Sequence, residues 1–372
     1  MNKLSKKILF ITSSRAEFGQ FESFLKELSN QKNINLKLVV SGSHLFKKFG
    51  DSYQDIKNSG IGVTKLIKIS EFQNVNFNKI PVIYFKIIKE FQKFLLNYKP
   101  DFIIIPCDRY EMLIFTLTAF IMKIPVIHFY GGEISKGAID NTIRNQISLM
   151  SKYHFVSSVD HKKNLIKLGI NEKDIFNIGA LSLDRLKKIN LFSIKSVEKK
   201  LKISLSKPII LVTFHPVTLK NTVNEFKELI KALKKTKNFN IIFTGPNNDP
   251  GHDKIENNIK KLCKLYPKKF YHYPHLGSEI YFSLIKLSKI IIGNSSSLLY
   301  EVPFFKKISL NIGDRQKGRL FGPSVFNIKA KSEIIYKKIN NIDKYKVSYF
   351  NPYFKINSSF KCIKIFKKKI LL

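Results

Sequence analysis

Arginine is scarce in this chain. Only six of its 65 basic residues are arginine (positions 15, 109, 144, 185, 315 and 319), while acidic residues number 27 and the formal net charge is +38. Such an excess invites a nucleic-acid interface. The lysines, however, run through the whole chain and fall on polar helical faces, as in LIKLG, ELIKALKKTK and NNIKKLCKLY. Charge runs of that kind are usually solvated faces, so no nucleic-acid partner is expected. Cysteine is equally sparse: Cys107, Cys263 and Cys362 are scattered and odd in number. That excludes a disulfide framework and suggests reduced thiols in a cytoplasmic protein. Neither the cysteines nor His128, His252 and His275 show metal spacing, so neither a metal nor another cofactor is expected. Long apolar runs are missing too. The best candidate, Leu113 to Met122, stops at Lys123, so membrane insertion is not expected. The run at Ile8 to Ile11 ends at Ser13-Ser14-Arg15, too early for a secretory signal. No solenoid-period repeat and no low-complexity linker breaks the chain.

What is present is alternation. With 372 residues and 44% apolar content the chain has room for two cores. Buried-strand runs at Ile8 to Thr12, Leu36 to Val40, Phe102 to Ile105, Val126 to Phe129, His154 to Ser157 and Ile175 to Ile178 alternate with helical stretches at 81–97, 112–122, 139–150 and 162–168. A segment from Leu181 to Ser206 has no strand pattern and reads as a crossing between domains. The plan then repeats: strands at Ile209 to Thr213, Ile241 to Thr244, Phe270 to Tyr273, Ile290 to Ile292 and Ile308 to Ile312, with helices at 223–235, 255–266 and 279–287 between the first four. Helical spacing returns at Phe360 to Phe366. The pattern predicts an α/β protein in which each half is a parallel sheet covered on both faces.

The most informative stretch is Lys289 to Arg319. An apolar run breaks at Gly293-Asn294, and Ser295, Ser296 and Ser297 open a helix. A strand entering a small-residue turn and a helix gathers backbone N–H groups and the positive helix end at one point, where phosphate binds. Glu301 lies about one and a half turns into that helix, in reach of a ribose. Asp314, Arg315, Gln316 and Arg319 crowd the loop after the next strand. The stretch reads as a nucleotide-diphosphate pocket. His215, at the end of the strand Ile209 to Thr213, suits a phosphate or sugar contact. Turn chemistry accounts for most of Gly245 to Asp249, with Asn247 kept as a candidate ligand.

In parallel sheets ligands meet the carboxyl ends of strands. There the first half places Asp108 and Arg109, with Glu111 beyond, then Glu133 after Gly131-Gly132, then Asp140 and Arg144 one helical turn apart. Singly, each acid reads as a cap or a surface ion pair. As a set they read as carboxylates that divide acid and base roles by shifting one another's pKa values. Arg15, at the end of the first strand, stands between a phosphate contact and a cap.

Eight ordered blocks carry a resemblance: SSRAEFG (13–19), CDRYE (107–111), IHFYGGE (127–133), IDNTIRNQIS (139–148), FHPVT (214–218), GPNND (245–249), GNSSS (293–297) and NIGDRQKGR (311–319). In order and content they resemble hydrolysing UDP-N-acetylglucosamine 2-epimerases of sialic-acid and legionaminic-acid pathways, over almost the whole chain. The resemblance implies GT-B architecture: two Rossmann-like domains facing a cleft, 1–182 and 183–354, with a C-terminal helix (355–372) packing back on the first. It implies elimination of the nucleotide diphosphate to a 2-acetamido glycal, then hydration to the free 2-epimer, without metal or redox cofactor, in a homo-oligomer (dimer or tetramer). It makes Asp108, Glu133 and Asp140 the acid–base carboxylates. Arg15, His215, Ser295, Ser296, Glu301 and Arg315 become nucleotide contacts, and Arg109, Arg144, Asn247, Asn294, Gln316 and Arg319 join them as substrate ligands. Three positions depart from the pattern: Asn145 stands for histidine, and Cys107 and Leu298 stand for glycines. The competing readings are a GT-B glycosyltransferase, a non-hydrolysing epimerase and a basic nucleic-acid-binding protein.

Overall fold

The computed structural model describes residues 5–50, 52–135, 139–187, 189–217, 223–246 and 251–370. Two compact units emerge. The first comprises the chain to Ile134, Ile139–Lys187 and the stretch from Tyr353; the second comprises the chain between Lys187 and Tyr353.

In the first unit strands and helices alternate as β1 (Lys6–Thr12), α1 (Arg15–Ser29), β2 (Ile34–Val40), α2 (Ser52–Asn58), β3 (Val63–Leu66), α3 (Ile80–Tyr98), β4 (Phe102–Pro106), α4 (Tyr110–Ile121), β5 (Val126–Phe129), α5 (Asp140–Leu149), β6 (Tyr153–Val156), α6 (Val159–Lys167), β7 (Ile175–Asn177) and α7 (Leu181–Leu186). The sheet order is β3-β2-β1-β4-β5-β6-β7, with every pairing parallel. Because side chains alternate across a strand, β1 sends Ile8 and Phe10 into one core and Leu9 and Ile11 into the other. Both faces are therefore covered, as an all-parallel sheet requires.

The second unit runs α8 (Ile194–Leu201), β8 (Ile209–Thr213), α9 (Val223–Lys235), β9 (Asn240–Thr244), α10 (His252–Leu265), β10 (Phe270–Tyr273), α11 (Gly277–Leu287), β11 (Ile290–Gly293), α12 (Ser297–Phe304), β12 (Ser309–Ile312), β13 (Val325–Ile328) and α13 (Ser332–Asn340). Its parallel sheet is ordered β10-β9-β8-β11-β12-β13. The last helix, α14 (Ser358–Lys369), packs on the first unit, where Phe366 meets Phe24 and Phe155 with ring centroids 5.7 and 5.3 Å apart. These are two Rossmann-like domains. In each, strand order reverses between two neighbours, β1/β4 and β8/β11, and such a switch point opens a crevice at the carboxyl ends.

Several elements escape the sequence pattern. The edge strand β3 is half-exposed along its length, so it shows no apolar alternation, and α2 is too short for a helical period. The supposed crossing at 181–206 holds α7 and α8, and α7 belongs to the first unit. Strand β13 and helix α13, also unread, complete the second sheet and its cover.

Candidate active site

In the first unit the switch point joins the turns after β1 and β4. Ser14 caps α1: its Oγ accepts from Glu17 N at 3.4 Å, and Glu17 Oε2 accepts from Ser14 N at 3.0 Å, a capping box. The same Oε2 accepts from Ser13 N at 3.0 Å. Ser13 Oγ stands 3.0 Å from Glu17 Oε2 and 2.6 Å from Glu111 Oε1. Arg109 Nε lies 2.7 Å from Glu111 Oε1 and 4.0 Å from Glu17 Oε1. Both glutamates are buried. Burial, opposed by Arg109 and reinforced by Glu111, raises the Glu17 carboxyl to about 7.

Beside this cluster, Asp108 pairs with Arg144. The Arg144 side chain is 1% exposed; its Nη2 donates to Asp108 Oδ2 and its Nη1 to the Glu133 carbonyl. One guanidinium from α5 thus ties together the turns after β4 and β5. The turn carrying Asp108 is also held from behind. His128 Nε2 is 2.9 Å from the Cys107 carbonyl, so it carries the hydrogen, and Nδ1 accepts from Ser148 Oγ at 3.0 Å. Burial lowers this imidazole to about 4, so it stays neutral. Cys107 adopts φ +56°, a left-handed conformation that costs a side-chain-bearing residue energy. Gly132, before Glu133, has φ +75°, and a Cβ there would lie 2.2 Å from the His161 carbonyl oxygen.

Of the residues expected from sequence, Asp108, Arg109, Arg144 and Glu133 sit at neighbouring strand ends. Arg109 and Arg144, read as ligand arginines, are engaged with the protein's own carboxyl and carbonyl groups. Asp140 opens α5 half-buried, one turn before Arg144, with Asn145 half-buried beside it; Arg15 opens α1 exposed. Glu17 was not anticipated. Its signal, Ser-x-x-Glu before a helix, reads as a cap alone.

In the second unit the switch point is built on Asn294. Its Oδ1 accepts from His215 N at 2.7 Å and its Nδ2 donates to the His215 carbonyl at 2.9 Å. Its own carbonyl accepts from Arg315 Nη1 at 3.1 Å and Gln316 Nε2 at 2.6 Å. Asn294 is fully buried, so its side chain serves to seat His215, not to reach a ligand. Ahead of it Gly293 has φ +151°, and a Cβ would stand 1.9 Å from the Thr213 carbonyl oxygen; only glycine fits. Ser295 and Ser296 precede α12 and hold its first N–H groups: Ser297 N donates to Ser295 Oγ at 3.3 Å, and Leu298 N and Leu299 N donate to the Ser295 and Ser296 carbonyls at 3.2 and 2.9 Å. Ser297 Oγ accepts from Tyr281 Oη at 2.8 Å, and Glu301, buried, follows one turn later on the same face. Burial pushes the Tyr281 phenol up to about 12, and Glu301 adds to the rise. His215 is held well below its ordinary value by burial and by Arg315, so the imidazole is neutral. Arg319 is half-buried in the loop after β12. Asn247 lies outside the described residues.

The family described as UDP-N-acetylglucosamine 2-epimerase matches residues 26–367. The chain belongs to this family. It is 39% identical over 342 residues to a Campylobacter jejuni protein named GDP/UDP-N,N'-diacetylbacillosamine 2-epimerase (hydrolyzing), covering 91% of this chain and 86% of the relative. Over 373 residues it is 36% identical to the Escherichia coli polysialic acid biosynthesis protein P7, covering 97% and 94%. Among solved structures, UDP-GlcNAc 2-epimerase from Neisseria meningitidis bound to UDP-GlcNAc is similar with a TM-score of 0.80 at 20% identity, over 98% of this chain and 100% of that one. At that identity the likeness is one of fold.

Within this epimerase chain the three unusual positions fall in different places. Cys107 occupies the left-handed turn, and Leu298 is buried inside α12 with its carbonyl accepting from Ser309 Oγ at 3.1 Å. Leu298 is therefore part of the buried core, and its N–H donates back to the Ser295 carbonyl at 3.2 Å. Asn145 stands beside, and outside, the Arg144 pairing.

Proposed function

We propose that this protein is a hydrolysing nucleotide-sugar 2-epimerase. It takes a UDP- or GDP-linked 2-acetamido sugar, breaks the anomeric C–O bond to release the nucleoside diphosphate, and returns the free sugar inverted at C2. The C2 hydrogen of an intact sugar is not acidic. It becomes removable as the glycosidic bond breaks and positive charge grows on the ring, so the reaction needs a stabilised leaving diphosphate and a carboxylate at C2. The serine turn with Arg315 and His215 is assigned to the diphosphate, Glu301 to the ribose, and Asp108, Glu133 and Asp140 to proton transfer. Loss of the C2 proton and the diphosphate gives a 2-acetamido glycal; water then returns a proton to C2 and a hydroxyl to C1. The product suits the supply of sialic or legionaminic acids, and the protein is proposed to act in the cytoplasm as a homo-oligomer of two or four chains.

One observation carries the reading: likeness to a hydrolysing 2-epimerase over 91% of the chain at 39% identity. The experiment offers a panel of UDP- and GDP-2-acetamido sugars in deuterated water with no acceptor present. Free 2-epimer carrying one deuterium at C2, with one equivalent of nucleoside diphosphate, is expected. Return of an intact epimerised nucleotide sugar, or turnover only with an added sugar acceptor, overturns the assignment. Light scattering on the purified protein reads the assembly.

A further inference from the structure

The buried cluster behind Asp108 is more than scaffolding, because its hydrogens can be counted. A serine hydroxyl carries a single hydrogen. Ser13 Oγ nevertheless sits within bonding distance of two carboxyl oxygens, 2.6 Å from Glu111 Oε1 and 3.0 Å from Glu17 Oε2. With both carboxyls ionised that single hydrogen is shared between them; with one carboxyl protonated each contact has a hydrogen of its own. Arg109 Nε donates to the Glu111 oxygen at 2.7 Å, and the 2.6 Å contact suits a hydroxyl donating to an ionised group. Glu111, held by Arg109, is therefore the carboxylate, and the extra proton falls to Glu17, although its Oε2 also accepts from Ser13 N and Ser14 N at 3.0 Å. Charge leads to the same place. Two carboxyls, 3% and 0% exposed, share one guanidinium, and the cluster is neutral only when one carboxyl is protonated.

We propose that Ser13, Glu17, Glu111 and Arg109 form a one-proton clamp between the turns after β1 and β4, and that Glu17 is a positioning residue whose proton keeps those turns together. The turns carry Arg15 and Asp108, so the role rests on the epimerase reading above. With the proton in place, Glu17 donates to Ser13, Ser13 donates to Glu111, and Glu111 holds Arg109. Removing it leaves the single Ser13 hydrogen shared between two carboxylates and a buried negative charge beside Asp108.

The surroundings do not supply a substitute charge. From the β4 turn, Cys107, Arg109 and Glu111 act on Glu17. From the loop after β2, His44 is buried against Thr12 and Ser52, and burial lowers it to about 3, so it stays neutral. From α7, Arg185 is committed to Glu22 and the Gly19 carbonyl. Helix α14 meets α1 through Phe366 on Phe24, and β2 meets it through Leu36, Leu38 and Val40. On α1 itself Arg15 is exposed as a residue, its guanidinium is lowered by burial, and its charge acts on Asp55 and His44.

Two measurements test the clamp. The first is kcat/KM from about pH 5.5 to about pH 9 for the wild type and Glu17→Gln, using whichever nucleotide sugar is turned over. The wild type is expected to lose activity on the alkaline side, approaching about tenfold per pH unit. Glu17→Gln, which cannot ionise, should keep the acid-side rate and lack that limb. The second is a 13C-carboxyl NMR titration of glutamate-labelled protein, which needs neither turnover nor a variant that folds. One glutamate should titrate near 7, and Glu111→Gln should move it down by removing the like charge. An unchanged alkaline limb in Glu17→Gln, or all glutamates titrating in the ordinary range, overturns the proposal. Absence of turnover on every nucleotide sugar sinks the functional reading alone, and the titration still judges the clamp.

Discussion

The two switch points solve the same problem with different materials. In the first unit the strand ends are held by ionised groups that neutralise one another: Arg144 on Asp108 and Arg109 on Glu111. In the second they are held mostly by dipoles, the Asn294 amide on the His215 main chain and Tyr281 on Ser297, with one charge, Arg315, on the Asn294 carbonyl. Opposed charges suit a site that must move protons, because each group's proton affinity is set by its partner. Dipoles fixed in place beside a single guanidinium suit the reception of a charged phosphate proposed above. The contrast teaches that the first unit should fail by charge and the second by shape.

Removing charge from the first unit should have the largest effect. Asp108→Asn is expected to lower kcat by about 10²- to 10⁴-fold while leaving UDP affinity, read by calorimetry, nearly unchanged. Glu133→Gln should behave alike, and near-normal turnover in both would remove the carboxylates from the chemistry. Arg144→Met should unfold the first unit more readily by about 3–5 kcal/mol, since it strands Asp108 beside an apolar chain. Denaturant titration reads that loss, and a cost below about 1 kcal/mol would mean that solvent already screens the pair.

The matching test of the second unit is Gly293→Ala. A Cβ placed 1.9 Å from the Thr213 carbonyl oxygen must push β8 and β11 apart. UDP affinity should fall, and stability by about 1–3 kcal/mol, without any change in the pH profile. A changed pH profile would break the division between a charged and a dipolar site.

These two sites were unequally legible in the sequence. The turn between β11 and α12 could be read because an apolar run ending in Gly-Asn-Ser-Ser-Ser is a local signal, complete within a few residues. The carboxylates could be located because a parallel sheet presents its strand ends, and the strands were plain. Partnership was not legible. Ser13 and Glu111 are 98 residues apart, and Asp108 and Arg144 are 36 apart, so only the fold shows that they bond. Asn294 illustrates the complementary failure: its position at the turn suggested a ligand, but orientation turned its amide to the backbone of His215. Short or edge elements such as α2 and β3 were missed because periodicity needs length and a buried face.

Acid should act on both units, since burial also lowers His215 and His272 in the second, and the first holds three such histidines. Burial lowers His44, His128 and His154 to about 3, 4 and 3. Each binds a proton more readily when unfolded, so its contribution to stability is full above the unfolded value of about 6.5 and is lost as pH falls towards the folded value. Together they should cost about 4 kcal/mol per pH unit below pH 6. Glu17, raised to about 7, works in the opposite sense: its contribution is full below its unfolded value and is lost as pH rises through 7. Stability measured by urea titration from pH 7 to pH 5 should therefore fall more steeply in Glu17→Gln than in the wild type. Equal slopes would place the proton elsewhere.

The smallest expected effect concerns Cys107, where the charged site carries a flaw of shape. Its φ of +56° is a glycine conformation, and the resemblance puts glycine there. For a residue with a side chain the left-handed conformation costs about 1–2 kcal/mol. Cys107→Gly removes that cost but frees the unfolded chain, which takes back about 0.5–1 kcal/mol. It also gives up the packing of a half-buried thiol against the core that holds Phe129 and Tyr130. The terms nearly cancel, so the variant should lie within about 1 kcal/mol of the wild type in stability. The His128 hydrogen bond to the carbonyl at 107 uses main chain and survives the change, so Asp108 should keep its place and kcat its value. A kcat that falls while stability holds would show that the stiffness of this strained turn, and not its hydrogen bonds alone, keeps the carboxylate aimed.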